Sequence, residues 1–148
     1  MKTEQQKREE LLQLARQRQV DRLPPHLNLA DIHNGYYECE YVSPWSISAC
    51  SLDAALMLIG QDWASSETLK RKRDEERRKT GQDCSSPTNS NLREFLKHMH
   101  LQFSDTYATN LFPFIKLGTK NATIPYRDLV RCGRKYALRQ IEIKSPLG

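Results

Sequence analysis

The chain has 148 residues, a formal net charge of +5 and 38% hydrophobic residues, which suits one domain with a core of its own. No apolar run reaches the roughly 20 residues that cross a bilayer, which argues against a helical membrane protein. The opening MKTEQQKREELLQLARQRQ lacks the apolar stretch of a secretory signal, so the expected compartment is the cytoplasm, as a bacterial-type cytosolic or nucleoid-associated protein.

Residues 1–34 read as a charged helical extension and linker. The predicted helix covers 3–19, with Leu11, Leu14 and Ala15 as a thin apolar stripe that suits a loosely packed surface element. Leu23-Pro24-Pro25-His26 ends it, because proline lacks the backbone donor and biases its predecessor away from helix. Residues 35–53 are loop-like, and Ser43-Pro44-Trp45-Ser46 marks a turn whose tryptophan calls for partial burial. Residues 54–60 then form an apolar run that stops at Gly60-Gln61-Asp62. A parallel strand buried on both faces and delivering a site at its carboxyl end has this pattern, and a buried helix is the alternative for so short a run.

Residues 64–83 carry seven basic and five acidic side chains with almost no apolar content, the composition of a solvated helix or a mobile loop. Ser86-Pro87-Thr88-Asn89-Ser90 caps the next helix, in which Leu92, Phe95, Leu96 and Met99 fall at helical spacing and are expected in the core. Phe103 to Leu111 holds a second strand, ending near Asn110 and followed by Phe112-Pro113-Phe114. After a loop over 112–125, Pro125 suits the first turn of another helix, with Leu129, Tyr136, Ala137 and Ile141 along one face. Strand, helix, strand, helix is the order of a crossover α/β unit. Lys144 to Gly148 stands where the next parallel strand is expected.

Asp62 and Asn110 would meet on the rim of one sheet. A carboxylate can handle a proton or a water, and a carboxamide can read a planar, amide-like ligand. The plainer readings are an N-cap for Asp62, a buried turn residue for Asn110, and core positions for Phe112 and Phe114. Residues 116–144 hold eight basic against two acidic side chains, which suits either a polyanionic partner, with nucleic acid first in line, or a solvated helix face. Cys39, Cys50, Cys84 and Cys132 form no Cys-x-x-Cys pair, so no zinc ribbon or redox motif is visible and scattered reduced thiols are expected. His26, His33, His98 and His100 read as surface residues rather than metal ligands.

Leu-Ile-Gly-Gln-Asp-Trp (58–63), Pro-Thr-Asn-x-Asn-Leu (87–92), Thr-Asn-Leu-Phe-Pro-Phe (109–114) and Cys-Gly-x-x-Tyr-Ala-Leu-Arg-Gln-Ile-Glu-Ile (132–143) together resemble the uracil-DNA glycosylase superfamily, over about residues 50–146. The resemblance implies a three-layer α/β fold with a central parallel sheet, with about the first half of that sheet in residues 35–148. It implies hydrolysis of the N-glycosidic bond of uracil flipped out of DNA. Asp62 would be the catalytic carboxylate, and Gly60 would allow close backbone approach. Gln61, Asn110, Trp63 and Phe114 would bind the base, and Lys116, Lys120, Arg127 and Arg131 would hold DNA phosphates. No metal is implied, and the cysteine spacing does not support an iron–sulfur cluster. Ala64 stands where many members carry an aromatic that blocks the methyl group of thymine.

Nothing in the chain aligns with the family's last strands or with the loop whose histidine stabilises the uracil anion. The resemblance therefore implies impaired catalysis. A non-catalytic nucleic-acid-binding protein that keeps the basic surface, and a piece with no function of its own, stay open as alternatives.

Overall fold

Residues 1–145 are described by the computed structural model. Helix α1 (Glu4–Val20) starts at Thr3, whose hydroxyl accepts from the Gln6 N–H at 3.1 Å while the Gln6 side chain accepts from the Thr3 N–H at 2.8 Å. This reciprocal cap satisfies two orphan donors of the first turn. The helix is not a loose surface element. Leu14 joins Leu23, Phe112, Phe114, Tyr136 and Ile143 in one buried cluster. Arg18 is wholly buried; it pairs with Glu38 at 2.6 Å and donates to the carbonyls of Cys39 and Tyr41.

Strands β1 (Met57–Asp62) and β2 (Tyr107–Phe112) run parallel, with Ile59 opposite Thr109, Gly60 opposite Asn110 and Asp62 opposite Phe112. β1 opens three residues after the start of the apolar run. The buried Lys144 ammonium donates to the carbonyls of Leu52 and Ala54 just ahead of it. β2 is buried along almost its whole length, whereas β1 is half-exposed and Ile59 is 44% exposed. Among the described residues β1 has β2 as its one strand partner.

Two short helices, α2 (Ser66–Arg71) and α3 (Glu75–Thr80), occupy the charged segment. The segment is not uniformly solvated. Leu69 is buried among Leu29, Ile32, Tyr37 and Ile115, and Arg77 is also buried. Helix α4 (Pro87–His98) buries Leu96 against Trp45, Phe103 and Ala108, with Leu92 packed beside it. Phe95 and Met99, expected in the core, are 57% and 46% exposed. The buried stripe is narrow and short: Leu92 and Leu96 face inward, Phe95 lies about 100° from Leu96 around the axis, and Met99 is the C-cap, past the last residue of the helix.

Past Pro125 the chain forms α5 (Tyr126–Cys132), a wide π turn (Gly133–Ala137) and α6 (Leu138–Lys144). Tyr136 and Ala137 are buried as expected, whereas Ile141 is 42% exposed. Gln140, fully buried, accepts from the Tyr107 hydroxyl at 2.8 Å and donates to the Tyr136 carbonyl at 3.1 Å, which fastens α6 to β2. The place where the next parallel strand of such a fold would begin falls partly on residues 146–148, outside the described residues; Lys144 closes α6. The architecture is thus mixed α/β around a small parallel sheet. No helix among the described residues is long and apolar enough to cross a membrane.

Candidate functional site

A cavity of about 420 Å³ opens at the carboxyl ends of β1 and β2. Its wall includes Gly60, Gln61, Asp62 and Trp63 from the first strand and its exit, Asn110 from the second, and Trp45 from the preceding turn. Residues paired across a parallel ladder point to the same face. Gly60 and Asn110 are such a pair, and Asp62 lies one pleat further along that face. The two residues singled out in the sequence therefore line one cavity.

Asp62 does not cap the helix that follows it. Ser65 does, accepting from the Thr68 N–H at 3.3 Å. The Asp62 carboxylate is freed for another partner, and that partner is Lys116, whose ammonium lies 3.4 Å from Oδ2. Burial pushes the Asp62 carboxyl above the usual carboxylate range, and the charge and hydrogen bond of Lys116 pull it part of the way back. Lys116 also donates to the Lys120 carbonyl at 2.7 Å, so one ammonium braces both the carboxylate and the loop after β2.

Asn110 is 3% exposed. Its Oδ1 accepts from the Ser43 hydroxyl at 2.6 Å, and Ser43 Oγ in turn accepts from the Trp45 backbone N–H at 3.2 Å. Gly60 leaves the space that the amide needs. A β-carbon there would lie 3.0 Å from Asn110 Nδ2 and 3.2 Å from Trp45 Cζ3. Trp63 lines the cavity with its indole N–H donated to the Gly81 carbonyl at 2.8 Å and the Arg77 guanidinium 5.9 Å from its ring centroid. Arg77 pairs with Asp83 at 2.9 Å, and the Asp83 carbonyl accepts from Asn89 at 3.0 Å. Ala64 is buried and on the wall, next to Trp63.

Several sequence assignments change. Phe114 is 1% exposed and packs edge-on to Phe112 and Tyr136, so it belongs to the core and not to the cavity. Lys116 is 5% exposed and faces Asp62, which removes it from any outer phosphate-binding surface. Lys120 is exposed and lines the cavity. Arg127 and Arg131 are exposed but border different depressions beside Tyr126 and Pro125.

The basic excess of residues 116–144 is reduced in the same way. Lys144 is buried, Lys135 pairs with Asp21 at 2.9 Å, and Arg139 sits within 4 Å of Glu10 and Glu142. His26 is not a surface residue either: its side chain is 6% exposed, 3.3 Å from Asp128 and edge-on to Phe112. The cysteines are all unpaired, and burial pushes Cys132 up to about 12. Among the described residues no three His, Cys, Asp or Glu side chains converge as a metal group would require.

The sequence alone does not place Ser43, Arg77 or Gly81, or the ring of Trp45, at this site. The one signal is the Ser43-Pro44-Trp45 turn, whose tryptophan calls for partial burial. No protein-family model, curated protein or solved structure matches the chain.

Proposed function

We propose that the chain is a glycosylase-like protein of the uracil-DNA glycosylase type, with the first part of that family's three-layer fold and a pocket for an extruded uracil. The observation that carries this reading is the shared cavity of Gly60, Gln61, Asp62 and Asn110 at the carboxyl ends of two parallel strands. Ligands bind there in open α/β sheets. A base must leave the stack to reach such a cavity.

In the proposed reaction the bond between the sugar and the base nitrogen breaks, and its electron pair leaves with the uracil. Positive charge develops on the sugar, where the Asp62 carboxylate stabilises it and orients the attacking water; the water's oxygen bonds to the sugar carbon and its proton balances the departing uracil anion. The Asn110 carboxamide and Gln61 hold the leaving base. Lys120 and Arg77 are the cations on the wall, and no histidine is among the lining residues. A base-reading protein without chemistry is the second reading, favoured by the Lys116 ammonium already engaged with Asp62.

The separating experiment incubates the purified chain with single- and double-stranded oligonucleotides carrying one uracil and measures alkali-labile abasic sites. Abasic product is expected. Binding without product selects the second reading, and neither binding nor product rejects both.

The Lys116 pair gives the reaction a pH signature. The ionised Asp62 is the active form, so the rate rises with pH through its raised titration. Lys116→Met removes the charge that favours the carboxylate and leaves burial unopposed. The acidic limb of the profile of kcat/KM against pH is expected to move to higher pH in this variant. An unmoved limb would separate Lys116 from the chemistry.

A further inference from the structure

The rim of the cavity carries a device that decides which way its carboxamide faces. Asn110 offers a carbonyl oxygen that accepts and an amino group that donates, and the two ends are nearly equal in size. An unrestrained amide could turn either end to a ligand. Here its surroundings are unequal. Ser43, wholly buried, has one lone pair engaged by the Trp45 N–H, and its single proton goes to Asn110 Oδ1 at 2.6 Å. Proline at position 44 and the tight turn Pro44–Ile47 hold Ser43 and Trp45 in place. On the far side the amino group rests over the bare α-carbon of Gly60, where a methyl group would crowd it at 3.0 Å. One end is tied to the wall and the other is left toward the cavity.

We infer that Ser43 is a specificity-determining, positioning residue: by holding the Asn110 oxygen it presents the amino group to the pocket and selects a pyrimidine with a carbonyl oxygen at that edge over one with an exocyclic amine. This rests on the glycosylase reading for the identity of the ligand. Uracil meets the amino group with an acceptor. Its ring N–H can still use the second lone pair of Oδ1. Cytosine brings a donor against a donor and an unprotonated ring nitrogen against an acceptor. Turning the amide over to suit cytosine would put its amino group on the remaining lone pair of Ser43 Oγ and leave the buried Ser43 proton without the acceptor it now has. Selection of this kind comes from a fixed hydrogen-bond polarity and not from shape.

The test uses two readouts, so that failure of the inference is distinguishable from failure of the parent reading. Excision from uracil-containing DNA reports on the parent reading alone. Calorimetric titration with free uracil and free cytosine reports on the inference, whether or not the chain cuts DNA. The wild type is expected to prefer uracil. Ser43→Ala is expected to reduce the uracil-to-cytosine affinity ratio by roughly tenfold, about the worth of one hydrogen bond.

General damage to the pocket would weaken both bases together and leave the ratio in place. Ser43→Thr, which keeps a hydroxyl, is expected to retain the wild-type ratio, and circular dichroism melts check that each variant folds. The inference is overturned if the wild type shows no preference for uracil, or if Ser43→Ala folds and keeps the wild-type ratio.

Discussion

Asp62→Asn is expected to lower uracil excision by on the order of 10²–10³, the usual loss when one preorganised charge-stabilising group is removed. Binding of uracil-containing DNA should hardly change. The substitution keeps the size of the side chain and an oxygen that Lys116, 3.4 Å away in the parent, can still meet. What it removes is the negative charge that the proposed reaction sets against the developing positive sugar. Single-turnover rates beside binding isotherms make the distinction: a variant that binds normally and does not cut places Asp62 at the reacting atoms. A variant that cuts at the parental rate removes the carboxylate from the mechanism and leaves the base-reading alternative.

The largest structural effect is expected at a residue with no catalytic chemistry. Gly81 ends α3 with φ of +70°, a backbone conformation that costs a residue with a β-carbon about 1–3 kcal/mol. Space makes the position stricter still. A β-carbon there would fall 1.8 Å from the Pro44 carbonyl oxygen, which is backbone and cannot swing aside. Gly81→Ala must therefore displace the Pro44–Ile47 turn, which carries Trp45 and follows Ser43, or the end of α3, whose Gly81 carbonyl receives the Trp63 indole. Thermal unfolding should shift down by about 2–4 °C for each kcal/mol lost. Uracil affinity should fall as well, although Gly81 donates nothing to the base. A variant with parental melting temperature and affinity would mean that the contact is easily relaxed.

The sequence made the convergence of Asp62 and Asn110 readable for a local reason. Each apolar run ends where its polar residue begins, and parallel strands place such ends together. The long-range partners of charged residues carry no comparable signal. Arg18 and Lys116 look like surface cations in sequence because the groups that receive them, Glu38 and the carbonyls of Cys39 and Tyr41 in one case, Asp62 in the other, come from separate segments. Phe95 failed for the opposite reason. Its spacing is helical and its side chain apolar, but periodicity says which residues share a face and not how wide a face the neighbours cover. Ser43 was visible only as part of a turn, since its importance lies in a hydrogen bond across 67 positions of chain.

The wide turn at Gly133–Ala137 is, in effect, one surplus residue accommodated inside a continuous helical rod. Because the surplus is absorbed locally, a chain shortened by one residue there would wind with ordinary α-helical spacing and still direct Gln140 toward Tyr107. The length of this stretch is therefore negotiable by a single codon, while the azimuth of everything after it is not.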